Sequence, residues 1–132
     1  MHFIFEAIII GFYTLCLYLI FSPFIKNFYI LLLVVGFLKF FLAGIFGVHT
    51  WFCNNGYACL KVRKTNEKYV SSTKNLFLYS IIDAIAVLIL GTILSNVLSK
   101  GYLFFVIGMN LHLLSELFLI HKMFCLHNCY KE

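Results

Sequence analysis

Charge is what this chain has least of. Only 11% of its 132 residues are Asp, Glu, Lys or Arg, against about 25% in an ordinary soluble domain. That is too few to clothe a water-exposed surface, and a soluble globular fold is excluded. Strict apolar-polar alternation is missing too, so strands that would close a barrel are not expected. Proline occurs once, in Ser22-Pro23, where it ends an apolar run rather than interrupting one. The chain has no Cys-x2-Cys, no Gly-rich phosphate loop, no His-Glu-x-x-His and no serine in a nucleophile-elbow context. The common signatures of zinc ribbons, nucleotide enzymes, metalloproteases and serine hydrolases are therefore absent. Residues 1–11 lack the basic flank and small-x-small site of a cleavable leader, and Glu6 falls inside their apolar run.

What is present is apolar length. Hydrophobic residues make up 63% of the chain, with 16 Phe and 8 Tyr, and the mean hydropathy is +0.99. A hydrocarbon core about 30 Å thick needs roughly 20 helical residues. Four segments qualify: residues 3–21, 28–48, 76–98 and 102–122. The expected fold is all-α, a four-helix transmembrane bundle in a single domain. The connections are short at 22–27 and 99–101 and long in the middle, with a basic loop at 61–75. Residues 49–60 read either as an interfacial loop or as a helical extension that breaks at Asn54-Asn55-Gly56.

The formal net charge is +5, and its placement is informative. Lys61, Arg63, Lys64, Lys68, Lys74, Lys122 and Lys131 fall on one side of such a bundle, and Lys26 and Lys100 on the other. Seven against two places both termini and the middle loop in the cytoplasm. No basic motif with stacking aromatics lies outside the apolar runs, so nucleic acid is not an expected partner. The bilayer is.

Helices in lipid associate through small residues and polar contacts. Ser80, Ala84, Gly91 and Ser95 fall within roughly 60° on a helical wheel, a seam suited to a neighbouring helix or to a second copy of the chain in a homo-oligomer. Lys39, Asp83, His112, Ser115 and Glu116 are the candidate polar network within the spans. Lys39, Asp83, His112 and Glu116 lie at matching depths, ~10–18 Å from the ends taken as cytoplasmic. Isolated, each charge costs on the order of 3 kcal/mol at the bilayer centre. An interior polar network is therefore expected, which either holds the bundle together or passes protons or ions.

Cys16 lies within the first span and reads as a small apolar filler. Cys53, Cys59, Cys125 and Cys129 lie on the basic side near His49 and His121. They admit three readings: free or lipidated thiols, soft ligands converging on zinc, or disulfides, the last requiring an inverted topology or an oxidising compartment. No other cofactor is expected.

Three resemblances can be drawn. Four spans with cysteines near their ends resemble the quinone-coupled four-span thiol oxidases, without the Cys-x2-Cys those enzymes use. Leu42-Ala-Gly-Ile-Phe-Gly-Val-His49-Thr-Trp-Phe52 resembles the Gly-x-x-Gly-x-His-aromatic motif of the two-span TM2 family, though a basic loop follows here rather than a second span. The bias toward Phe, Ile, Leu, Lys, Tyr and Asn resembles the small polytopic membrane proteins of large AT-rich DNA viruses, which would imply a host or virion membrane. The expected function is a non-enzymatic structural or scaffolding membrane protein. A small proton or ion conductor built on Lys39, Asp83, His112 and Glu116 is the alternative, and a metal-binding or thiol redox protein the third.

Overall fold

The computed structural model describes residues 2–62 and 68–131; Arg63 and Lys64, counted above toward the basic loop, lie outside the described residues. Seven helices and two short strands are present among these residues. They run α1 (His2–Phe21), α2 (Phe28–Ile45), α3 (Val48–Asn55), α4 (Tyr57–Val62), β1 (Tyr69–Ser71), α5 (Leu76–Leu94), α6 (Lys100–Leu117), α7 (Ile120–Asn128) and β2 (Cys129–Lys131). Three helices are long and apolar enough to cross a membrane: Phe3–Phe21, Phe28–Ile45 and Leu76–Leu94. There are four if α6 and α7, bent by 76° at their junction, form one broken span.

The long helices associate mainly as two pairs, α1 with α6 and α2 with α5, with lesser contacts joining α1 to α2 and α5 to α6. Small residues set both close approaches. A Cβ placed on Gly36 would stand 2.7 Å from the Cα of Ala84, and one on Gly108 would strike Thr14. Backbones that close leave no room for a larger side chain, and dispersion contacts replace the hydrophobic drive that lipid cannot supply. The seam predicted on α5 is therefore used within the chain. Ser80, Ala84 and Gly91 are buried, and only Ser95 is exposed. A homo-oligomer would have to use another face.

Between the pairs lies a core of Leu17, Leu31, Leu32, Val35, Val87, Leu103, Phe104 and Ile107. The Tyr18 ring stacks on Phe104 at 4.4 Å. The outward surface is the reverse of a soluble protein's. Phe5, Phe12, Leu19, Phe77, Ile89 and Ile93 are each more than half exposed. Cys16, read from the sequence as a small apolar filler, is exposed on α1.

Three predicted spans end sooner than their hydropathy implied, and α5, expected to reach residue 98, stops at Leu94. α2 stops at Ile45, and Gly47, in the left-handed region at φ 81°, redirects the chain into α3. α6 stops at Leu117, and Leu119, at φ 61°, is the one non-glycine residue with positive φ among those described. An L side chain in that region costs about 1–2 kcal/mol, so the packing beyond the bend must hold it. Strands, not expected at all, occur as a two-stranded antiparallel ribbon with Tyr69 opposite Lys131 and Ser71 opposite Cys129. Both described ends of the chain, together with α3, α4, α7 and the ribbon, gather at one end of the bundle as a cap.

Candidate functional site: a stapled cap over buried carboxylates and imidazoles

The cap is built by α3. Its outer turns carry Asn54, whose side-chain amide acts as a strand partner. Asn54 Nδ2 donates to the Tyr69 carbonyl at 2.8 Å, and its Oδ1 accepts from the Tyr69 N–H at 2.8 Å. Thr50 Oγ1 accepts from the Ser71 N–H at 3.2 Å. These bonds satisfy the free edge of β1, and β1 in turn holds β2. The same helix directs Cys53 to Cys129, and α4 directs Cys59 to Cys125. Both pairs are disulfides, with Cα separations of 5.7 and 5.2 Å. Cys53, Cys59 and Cys125 are buried, and Ala58, Phe52 and Val62 pack around the Cys59–Cys125 pair as a small apolar cluster. So small a core is what disulfides ordinarily supplement.

The four cysteines thus meet, but as two pairs. In this state they offer no thiolate to zinc, and no group of three or more His, Cys, Asp or Glu residues suited to a metal forms among the described residues. His49 stays one turn from Cys53 on α3, yet its ring lies between Phe40 and Phe124, at centroid distances of 4.5 and 5.3 Å. Burial there, with Lys39 nearby, pushes the imidazole's proton affinity down to about 4, because the charged form loses its hydration and meets a like charge. α7 carries His121 and Cys125 but ends at Asn128, and Cys129 belongs to the ribbon.

Beneath the cap the polar residues of the spans form two groups rather than one. Lys39 Nζ lies 2.7 Å from Asp83 Oδ2, with both side chains largely buried. This pair bridges α2 and α5. The second group joins α1, α6 and α7. His121 Nδ1 is 2.9 Å from Glu116 Oε2, and the His112 and His121 rings stand 4.3 Å apart. His112 Nε2 faces Glu6 Oε1 at 4.0 Å, beyond hydrogen-bond reach. Both oxygens of Glu6 accept from the Tyr57 N–H at 3.3 Å, which satisfies an orphan donor in the first turn of α4. Phe52 covers the imidazoles, 6.4 Å from His112 and 5.2 Å from His121. No ion pair or hydrogen bond among those described joins Lys39 and Asp83 to this group, and Ser115 takes part in neither.

Glu6 and Asn54 were the residues that sequence reasoning missed here. Glu6 was visible as an acidic residue in an apolar run, but its partner is 51 residues away. Asn54 read only as a turn residue. Lys61, at the rim, sits 4.4 Å above the Tyr57 ring, and its hydrogen bond to that tyrosine raises its proton affinity.

No protein family, curated protein or solved structure matches the chain. The arrangement of its own groups is what supports a function.

Proposed function

We propose that the chain is a multi-pass integral membrane protein with a structural or scaffolding role, whose interior ion pair and polar group hold the helices in register under a disulfide-stapled cap. The observation that carries this reading is the filled interior. Below the Lys39–Asp83 pair the space between the helices is taken up by Leu17, Leu31, Leu32, Val35, Val87, Leu103, Phe104 and Ile107. A conductor needs a continuous polar or hydrated lining, and apolar packing of this kind favours a structural role over conduction.

Two disulfides at the basic end bear on orientation. The positive-inside bias is a statistical tendency, and paired disulfides form and persist chiefly in oxidising compartments. We assign the cap to an oxidising side of the membrane, opposite to the side that the lysine distribution alone favours.

Assembly in a bilayer tests the structural role. Lys39→Leu leaves the Asp83 carboxylate unpaired and impairs assembly, while Lys39→Leu with Asp83→Leu recovers most of it, as expected of a paired buried charge. A single variant that assembles like the parent removes the proposal. A second reading, proton transfer, rests on the run Glu6, His112, His121 and Glu116, four titratable groups in sequence. It predicts collapse of a pH gradient in liposomes that Glu116→Gln abolishes.

A further inference from the structure

α7 leaves α6 at 76°, so if α6 runs along the membrane normal, α7 runs closer to the membrane plane. One side of α7 is fully engaged. Phe124 packs on His49 and Phe52, His121 on Glu116, and Cys125 is bonded to Cys59. The other side carries Ile120, Met123 and Leu126, exposed by 55, 54 and 56%. Their spacing of three places them in one row along the helix. Lys122 borders the row on one edge, and His127, one turn beyond Met123, closes its C-terminal end, both exposed.

The row does not begin at α7. Leu117 and Phe118 are exposed by 72 and 68%, and they continue the outward apolar surface of α6 through Leu119 into Ile120. α3 repeats the pattern. Ile45 and Phe46 end the outward face of α2, and Val48 and Trp51 extend it into the cap, with Trp51 exposed by 53%. An indole has an apolar body and one N–H donor, which suits the headgroup boundary. Lys122 has a long stem that can lie on the row while its ammonium reaches water.

We propose that α7 is an in-plane helix whose Ile120, Met123 and Leu126 row sits in the headgroup–acyl boundary of the membrane the bundle spans, with Trp51 of α3 at the same level. The occupant of this face is lipid. Continuity with the outward apolar surfaces of α2 and α6 favours lipid over a protein partner, since a partner's site would be set apart from that surface. The disulfides give the arrangement its purpose: they hold α7 down on α3 and α4, so that the bend at Leu119 persists. The inference rests on the membrane-spanning reading.

The test uses the full chain in phosphatidylcholine vesicles brominated either near the carbonyl end or near the terminal methyl of the acyl chain. Trp51 is the only tryptophan, so its emission reads α3 directly. Trp51→Phe combined with Met123→Trp reads α7. A fluorophore on Cys16, the one free thiol and exposed on α1, reads the span. Both tryptophans should be quenched several-fold more by shallow than by deep bromines, and only weakly by aqueous iodide. The Cys16 label should respond to acyl-chain bromines. A tryptophan at 123 open to iodide and silent to both bromolipids, with Cys16 still quenched, overturns the in-plane helix and leaves the row to a second copy or another protein. An unquenched Cys16 label overturns the spanning reading itself.

Discussion

The imidazoles of His112 and His121 lie 4.3 Å apart, and each faces a carboxylate, Glu6 at 4.0 Å and Glu116 at 2.9 Å. The four groups tie α1 to the consecutive helices α6 and α7, across the bend between them, so they work as a clasp between the bundle and the cap. His121→Phe preserves a ring against Phe52 but leaves Glu116 without its partner. The expected loss is about 1–3 kcal/mol, the usual range for a buried polar group left unsatisfied. Adding Glu116→Leu should return much of it. Denaturation of the purified protein in detergent, followed by circular dichroism, reads both changes. A single variant as stable as the parent would show that the clasp is decorative.

Reduction should free the cap and spare the bundle. The outer disulfide closes a separation of 76 residues, and chain-entropy reasoning gives such a closure on the order of 4 kcal/mol, with less for the nested Cys59–Cys125 bond. After reduction, trypsin should cleave at Lys122 much faster, while the helical signal of α1, α2, α5 and α6 stays. Thiol counting provides a direct check. One reactive cysteine, Cys16, is expected before reduction and five after, because the chain has five in all. Five reactive thiols in freshly isolated, unreduced membranes would refute both bonds and the assignment of the cap to an oxidising side.

His49 gives the cap an acid limit. Its proton affinity is pushed down to about 4 by burial and by Lys39, against about 6.5 in an unfolded chain. Between those values the unfolded state binds more protons, so stability rises with pH across the window and falls as pH drops through it. Above pH 6.5 the group is neutral in both states and adds no pH dependence. His49→Phe should flatten the slope between pH 6.5 and 4, with the ring still seated between Phe40 and Phe124. A parent and variant with parallel stability curves over that window would rule His49 out as the source.

How much of this was legible beforehand follows from range. The apolar segments 3–21, 28–48 and 76–98 could be read directly, because hydropathy over about 20 residues is a local property, and α1, α2 and α5 begin where those segments do, within a residue. That Lys39 would seek a carboxylate was legible, since an unpaired charge at that depth is costly; that Asp83 rather than Glu116 supplies it was not. The ends of α2 and α6 were not legible either. Apolar side chains continue past Ile45 and Leu117 without change, and the stops depend on backbone angles at Gly47 and Leu119. Nor was the division of the polar residues into two groups, because it follows from α6 packing on α1 rather than on α2.

Composition and run length alone determined that this is a chain of long apolar helices with charges too few for water, because those properties sum over neighbouring residues. Only the tertiary structure decided that Cys53 meets Cys129, that Cys59 meets Cys125, and that Glu6 reaches Tyr57. Each of these joins residues more than fifty positions apart. Such pairings are set by which helices lie side by side and where the chain bends, and no local pattern in the sequence encodes either.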